Sequence, residues 1–473
     1  MSIAGPTVQS PHVPQQHPAK PAGAAGRPAA GRRYKPDMLL YMLVLFTWVG
    51  IWRVQDLVPI LGKIKFPILV ELGTVVLFLM DQTPVRRVKW IKSPILTITL
   101  VLVGIMILGL PTALWPGIGV SFVTKEFPVT LILMVMLATS MREFSDLEWM
   151  AFAHLTGAVI YATYIFLFCP IGYDGRLGNL VFYDANDFAL LMVCAMPFAV
   201  YFLRPKTAVW RRLFALFALG LFAIMIIKSG SRGGFLGLLT VVVYVLLFYR
   251  AIPTRLRLGS VAAGIAVFAV FGSAQYWTII GTILHPQKDY NMTDETGRSA
   301  IWKRGMGYMK THPILGVGIR NFAQAEGSLS PVARRYAEVG RGIKWSVAHN
   351  SFVEVGAECG IAALALFVLR FLIIFRTLAR VRAGPRGKPW ITESDQAYAQ
   401  MLFGALAGFV VSGFFVSAEY FVFLYTALGI LLGQQAVLKR RARMPRRPVL
   451  VQPTQQIRRV PEQPVVQWLP TGS

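Results

Sequence analysis

Long apolar segments recur from Met38 to Leu438, and they restrict the folds that this chain can adopt. Several approach the roughly 20 apolar residues that a helix needs to cross the hydrocarbon core of a bilayer. Backbone amides and carbonyls must be paired there, so such segments fold as helices. Only 15% of the residues are charged, against roughly 25% in soluble proteins. We therefore predict an all-α, polytopic integral membrane protein.

The apolar segments divide the chain into about twelve predicted transmembrane helices. The predicted spans cover residues 38–52, 57–80, 94–114, 127–140, 149–169, 185–203, 213–227, 233–249, 258–277, 351–375, 398–417 and 420–438. The implied regions are a disordered tail (1–37), an N-terminal bundle (38–281), a large loop (282–350), C-terminal spans (351–438) and a basic tail (439–473). The first tail has no apolar stretch typical of a signal peptide.

The formal net charge of +26 comes from basic residues that lie between the apolar segments. This distribution indicates a membrane topology and not nucleic-acid binding, because basic loops stay on the cytoplasmic side. With both termini cytoplasmic, most basic clusters fall on the inner side, and the 282–350 loop faces outward. The same topology places five polar residues on the outward side of the membrane: Arg176, Arg232, Arg298, His349 and Glu419.

An outward site has no access to nucleotide-activated sugars or ATP. Bond-forming chemistry there must use a donor that arrives already activated, and a lipid-linked donor fits best. The sequence contains no H-E-x-x-H motif, no D-x-D motif and no paired cysteine sites, so it predicts no metal and no cofactor.

His349 precedes a predicted helix that begins near Ser351, since Ser351 and Glu354 match an S-x-x-E capping box. The helix dipole and partial burial both disfavour an imidazolium at this position. A neutral imidazole could therefore accept a proton. The alternative is a histidine that only satisfies a helix end. Glu358 lies on the same helix face as Glu354 and is predicted to pair with an arginine.

Three arginines are candidates for binding an anion. Arg232 follows Ser231 between two apolar helices, where flanking glycines would let a ligand approach the backbone closely. Arg298 is predicted at the start of an amphipathic helix in the large loop, and Arg176 lies in a short outward loop. The alternatives are a charged hairpin stop at Arg232 and solvated loop arginines at the other two positions.

Four short motifs follow one another in the second half of the chain: Ser231-Arg232-Gly233, Gly316-x-Gly318, His349-Asn350 and Glu358-x-Gly360. Together with the layout of about twelve spans, they resemble the O-antigen ligase and polymerase family of bacterial surface-polysaccharide enzymes. The resemblance extends roughly from Arg176 to Leu366.

The resemblance implies a metal-independent, inverting glycosyltransferase of the membrane-embedded GT-C type. Such an enzyme moves a glycan from undecaprenyl diphosphate to an acceptor glycan or lipid A-core, as a ligase or a polymerase. It implies that Arg232, with Arg298 and Arg176, holds the diphosphate and that His349 activates the acceptor. Ser231, Asn350 and Glu358 would support the site. A transporter or flippase of lipid-linked sugars is the alternative.

Overall fold

A computed structural model describes residues 34–86, 92–180, 182–342, 345–384 and 389–443. The predicted tails therefore lie largely outside the described residues, which omit 1–33 and 444–473. Within the described part, helices dominate and a single isolated bridge pairs Ile171 with Leu177. The predicted all-α architecture is confirmed.

In the described part of the chain, thirteen α-helices precede the large loop (282–350), and eight lie within the loop or after it. The first thirteen are α1 (Met38–Ile51), α2 (Val54–Leu57), α3 (Pro59–Lys63), α4 (Phe66–Met80), α5 (Pro94–Leu108), α6 (Pro116–Ser121), α7 (Phe127–Ser140), α8 (Phe144–Phe168), α9 (Ala185–Phe202), α10 (Val209–Ser229), α11 (Arg232–Phe248), α12 (Thr254–Phe271) and α13 (Ala274–Gly281). The other eight are α14 (Tyr290–Thr293), α15 (Arg298–Thr311), α16 (Phe322–Ser328), α17 (Pro331–Glu338), α18 (Ser351–Cys359), α19 (Ile361–Arg382), α20 (Glu393–Gly413) and α21 (Val422–Arg443).

Eight helical segments in the described part are long and apolar enough to cross a membrane, and α1, α4 and α11 are shorter apolar helices. Three predicted spans before the large loop differ most clearly from the helices in the described part of the structure. The span predicted to begin at Phe127 begins at Pro116, because a π-helical turn (Phe122–Glu126) joins α6 to α7. The spans predicted over 57–80 and 258–277 are each divided into shorter helices.

Helix α9 lies at the centre of the bundle and packs against α11 and α20. Small residues allow this close approach: a Cβ atom added to Gly408 of α20 would lie 2.8 Å from a methyl carbon of Val193 in α9. The three helices start and end at opposite faces of the bundle, with the N-termini of α9 and α11 beside the C-terminus of α20. The ends of these helices therefore position two separate groups of polar residues.

The helix predicted over 351–375 is broken at Gly360, which separates α18 from α19. Gly360 has φ +88° and ψ 171°, a conformation that is essentially limited to glycine. The backbone of the large loop lies against the break, and the amide of Ile361 donates to the carbonyl oxygen of Pro313 at 2.9 Å. The prediction of one continuous helix is therefore wrong, because the loop occupies the path that the helix would follow.

The glycine turn at Gly316-Val317-Gly318 supplies further backbone partners at the break. The amide of Val317 donates to the carbonyl oxygen of Ala357 at 2.9 Å, and the amide of Gly318 donates to that of Glu358 at 3.0 Å. These are carbonyls that the end of α18 leaves without helical partners. The turn therefore pairs the backbone of a broken helix, a structural role that explains its glycines without a bound nucleotide.

We predict that Gly360→Ala destabilises the protein strongly. The added Cβ atom would lie 2.6 Å from the carbonyl carbon of Ile314, and the backbone conformation disfavours any side chain. Together these effects cost roughly 2–5 kcal/mol, measured as a lower midpoint of thermal unfolding in detergent. Gly307→Ala in α15 is the matched control, because its added Cβ meets no atom within 4 Å. Equal midpoints for the two variants would contradict the proposed role of the break.

Candidate active site

Polar side chains from distant parts of the chain meet at one end of α9, α11 and α20. Arg176 precedes α9, and Arg232 is the first residue of α11. Arg298 Nη1 donates to the carbonyl oxygen of Phe415, just beyond the end of α20, at 3.0 Å. The structure thus brings all three predicted arginines to the same end of the bundle.

Arg176 links the loop before α9 to the hairpin between α10 and α11. Its Nε donates to the carbonyl oxygen of Ser229 at 2.9 Å, and its Nη2 donates to Asn186 Oδ1 at 2.9 Å. Gly230 makes this possible, since its φ is +59° and an added Cβ atom would lie 2.7 Å from Arg176 Cγ. The glycine therefore makes room for the side chain of Arg176.

The two glycines after Arg232 have a packing role. Added Cβ atoms at Gly233 and Gly234 would lie 2.6 Å from the Cβ atoms of Phe415 and Ala189, respectively. The interpretation that these glycines let a ligand approach the backbone is not supported by the structure. Ser231 is the N-cap of α11, because its hydroxyl accepts from the amide of Gly234 at 3.1 Å.

Arg232 already has an acidic partner, which the sequence analysis missed. Its Nη1 forms a salt bridge with the carboxylate of Asp289 and donates to Thr282 Oγ1 at 2.9 Å. Asp289 is also the N-cap of α14, where it accepts from the amide of Asn291 at 3.1 Å. The D-x-N pattern could have revealed the cap, but sequence spacing does not reveal an ion pair between distant segments.

Arg298 is the first residue of α15, as predicted, and it forms no salt bridge in the part of the chain that the structure describes. Burial, followed by the positive charge of nearby Arg232, lowers the pKa of Arg298. A guanidinium remains protonated even so. Its positive charge is thus partly desolvated, and the carboxylates of Asp184 and Asp187 act on it only from beyond salt-bridge distance. A direct anionic partner is therefore favourable.

Arg298 and His349 border the same cavity, which has a volume of about 390 Å³. The residues that line it are Tyr290, Asn291, Thr296, Arg298, Ile301, Arg304, Glu326, Val332, Tyr336, Gly342, Ser346 and His349. This volume falls in the usual range of small-molecule sites, about 300–1,000 Å³. Arg232 and Arg176 are not among the lining residues.

The lining charges favour an anion over a metal cation. Glu326 is neutralised by Arg304, whose Nη2 lies 2.6 Å from its carboxylate. Arg298 therefore supplies the net positive charge of the cavity lining. Among the described residues, no group of three or more His, Cys, Asp or Glu side chains could hold a metal ion.

The backbone around His349 is fixed from two sides. The amide of Ala348 donates to Glu354 Oε2 at 3.2 Å, and Trp302 Nε1 donates to the carbonyl oxygen of Ala348 at 2.9 Å. His349 itself has φ +48°, a left-handed conformation that is uncommon for a residue with a side chain. Such conformations persist where neighbouring contacts hold them, and they are frequent at functional sites.

The start of α18 at Ser351 is confirmed, but the predicted capping box is wrong. Asn350 is the N-cap, and its Oδ1 accepts from the amides of Phe352 and Val353 at 3.0 Å each. The hydroxyl of Ser351 instead donates to the carbonyl oxygen of Val416 at 2.8 Å. Glu354 is thereby available to hold the backbone before His349.

Glu358 was expected to pair with an arginine, and the positive charge of nearby Arg320 does act on it, although no salt bridge joins Glu358 to an arginine among the described residues. Its Oε1 accepts from the amide of Phe322 at 3.1 Å, and its Oε2 accepts from the hydroxyl of Tyr420 at 3.1 Å. This buried carboxylate joins α18 to the start of α16 and to the segment before α21. It supports the site by holding these elements together.

One comparison with known proteins gives a match. The family model described as O-antigen ligase matches residues 215–368, about a third of the chain. No curated protein matches the chain. The matched segment contains Arg232, Arg298 and His349, whereas Arg176 precedes it and Phe415 follows it.

We predict that the cavity binds inorganic pyrophosphate and that Arg298→Gln weakens this binding about 10–100-fold. The loss corresponds to a charge-assisted hydrogen bond of roughly 1.5–3 kcal/mol. Isothermal titration of the purified protein in detergent measures the affinity. Arg335→Gln is the matched control, since Arg335 lies in the same loop but is largely exposed and outside the cavity lining. Unchanged affinity in Arg298→Gln would contradict the assignment.

Proposed function

We propose that this protein is a membrane glycosyltransferase, because residues 215–368 match the family model described as O-antigen ligase. It transfers a glycan from undecaprenyl diphosphate to an acceptor hydroxyl at the periplasmic face. The observation that carries the proposal is that Arg298, which forms no salt bridge in the described part, shares one cavity with His349.

The arginines stabilise the leaving group in the proposed reaction. When the glycosidic bond breaks, its electron pair stays on the diphosphate, which gains negative charge. Arg298 is held in place by the carbonyl oxygen of Phe415 and lies in a partly desolvated position. A fixed guanidinium in such a position stabilises developing charge better than water does. Arg232 and Arg176 add positive charge from the adjacent helix ends.

His349 acts as the general base toward the acceptor. Its imidazole takes the proton of the acceptor hydroxyl as the hydroxyl oxygen attacks the anomeric carbon. Attack from the face opposite the diphosphate inverts the configuration at that carbon. The contacts on both sides of Ala348 support this role, because they fix the position from which the imidazole works. General base catalysis contributes typically ~10²–10⁴-fold.

Asp289 holds Arg232 until the donor binds. The salt bridge positions the guanidinium at the start of α11, and the donor diphosphate then competes with the carboxylate for it. A bidentate pairing with phosphate is favourable for arginine. In the proposed mechanism, Arg298 therefore makes the first contact with the diphosphate and Arg232 joins it.

The proposed orientation places both termini in the cytoplasm and the cavity in the periplasm, in the bacterial inner membrane. Basic residues gather at the opposite end of the same helices, at Arg204, Lys206 and Arg250. This distribution supports the orientation, because basic loops stay on the cytoplasmic side. The acceptor is a second lipid-linked glycan in a polymerase and lipid A-core in a ligase.

We expect Arg298→Ala and His349→Ala each to reduce glycan transfer at least 10²-fold, since each removes a group that acts in the transition state. The measurement is complementation of a gene deletion, with analysis of surface polysaccharide and of lipid-linked glycan. Lys303→Ala and His285→Ala are matched controls, because both side chains are exposed in the outer loop and lie outside the cavity lining. Immunoblots verify equal amounts of each variant.

The glycan that accumulates in the deletion strain identifies the reaction. Long chains on the lipid carrier above bare acceptors indicate a ligase, whereas single repeat units without long chains indicate a polymerase. Full complementation by both site variants would rule out the enzyme mechanism. Transport of lipid-linked sugars would then be the better explanation.

A further test concerns the proton acceptor. The transfer rate of the wild type should fall as the pH is lowered far enough to protonate the imidazole, because an imidazolium can no longer take a proton. His349→Gln should be slow at every pH and lack this decrease. A pH–rate profile of purified enzyme provides the measurement. The same pH dependence in both proteins would show that another group is the base.

A further inference from the structure

A second cavity lies at the end of α9, α11 and α20 that is remote from the candidate active site. It has a volume of about 340 Å³. The residues that line it are Arg204, Pro205, Lys206, Arg250, Ala251, Glu393, Ser394, Gln396, Ala397 and Gln400. It is therefore formed by the loop after α9, the loop after α11 and the first turns of α20.

The two cavities are separated by about the thickness of a bilayer. Helix α9 has 18 residues, which gives a length of about 27 Å at 1.5 Å per residue. The hydrocarbon core of a bilayer is about 30 Å thick. If one end of α9 lies at one membrane surface, its other end, with the second cavity, lies at the opposite surface.

The charges of the lining favour an anion. Three basic side chains and one acidic side chain face the cavity. Arg204 is engaged by Glu148 at 2.8 Å and lies over the ring of Tyr201. Arg250 is exposed and forms no salt bridge within the described residues. Its full charge is therefore available to a ligand.

Lys206 is available as well. It pairs with Glu393 at 2.8 Å, but their side chains are 87% and 82% exposed. An ion pair as exposed as this contributes little stability, so a stronger anion can displace the carboxylate. Ser394, Gln396 and Gln400 add neutral polar groups around the two basic residues.

The walls of the cavity are held together by hydrogen bonds between α20 and the segment after α11. The hydroxyl of Tyr249 donates to the carbonyl oxygen of Ala397 at 3.4 Å, and the amide of Ala251 donates to Gln400 Oε1 at 3.3 Å. Both Tyr249 and Ala397 are fully buried. Arg250 lies between these two contacts, so its backbone has a fixed position at the rim.

The surface beside the cavity exposes large apolar side chains. Trp210 follows the loop that carries Lys206 and is 58% exposed. The neighbouring apolar residues Val209 and Leu213 are exposed as well. Exposed tryptophans of membrane helices lie at the level of the lipid headgroups. A phosphate in the headgroup layer is thus beside the cavity.

We propose that this second cavity binds the phosphate of an anionic lipid headgroup, with Arg250 and Lys206 as the principal ligands. Basic pockets between transmembrane helices on the cytoplasmic side are suited to such headgroups. The phosphate displaces Glu393 from Lys206 and receives hydrogen bonds from both basic side chains. This site is independent of the glycosyl transfer proposed above.

The test measures binding of phosphatidylglycerol to the full-length protein in detergent by native mass spectrometry. The variant Lys206→Gln/Arg250→Gln should bind this lipid at least 10-fold more weakly than the wild type. Arg255→Gln should bind it like the wild type, since Arg255 is exposed at the same end of the bundle but does not line the cavity. Phosphatidylcholine should bind the wild type more weakly, because its choline cation opposes the basic residues.

Inorganic phosphate distinguishes the two possible sources of the anion. If it displaces phosphatidylglycerol at equal concentration, and the double variant loses this effect, the cavity takes a soluble phosphate and the lipid assignment is wrong. Equal binding of phosphatidylglycerol by the wild type and the double variant would overturn the site altogether. Unchanged unfolding midpoints among the variants show that loss of binding does not reflect misfolding.

Discussion

The requirement that every buried backbone group be paired explains how the large loop is attached to the membrane helices. Where the chain departs from helical geometry at Gly360, carbonyls lose their helical partners. At this point the loop amides of Val317 and Gly318 donate to carbonyl oxygens of α18. The carbonyl oxygen of Pro313, also in the loop, accepts from the amide of Ile361. A loop that must pair these groups cannot move freely, so the residues that it carries have fixed positions relative to the bundle.

Charged side chains near the site must also find polar partners, and the backbone supplies them for two glutamates and one arginine. Glu354 and Glu358 are almost fully buried, and both accept hydrogen bonds from backbone amides. Arg298 donates to one carbonyl oxygen and forms no salt bridge in the described part of the chain. Asp184 and Asp187 act on its guanidinium only from beyond salt-bridge distance, so an anionic ligand can become its direct partner.

The sequence sufficed for features that depend on composition and local pattern. Apolar segments predicted the helical membrane fold, and the start of α15 at Arg298 followed from the local pattern. Features that depend on contacts between distant segments could not be predicted. Gly233 adjoins Phe415, and Asp289 pairs with Arg232, although nothing in their local sequence indicates these partners. The S-x-x-E pattern failed because the amide of Glu354 donates to the carbonyl oxygen of Asn350, and the hydroxyl of Ser351 bonds to the segment after α20.

The polar groups of the two sites lie at opposite ends of the same helices, so the length of the bundle separates the sites. Helices α9, α11 and α20 are held together by close contacts such as Gly408 against Val193, so their ends keep a constant separation. At one end they present Arg232 and the carbonyl that binds Arg298, and at the other they present Arg250. A phosphate-bearing lipid that anchors one end would therefore fix the depth of the whole bundle. It would thereby hold the opposite end at the headgroup level, where a lipid-linked diphosphate lies.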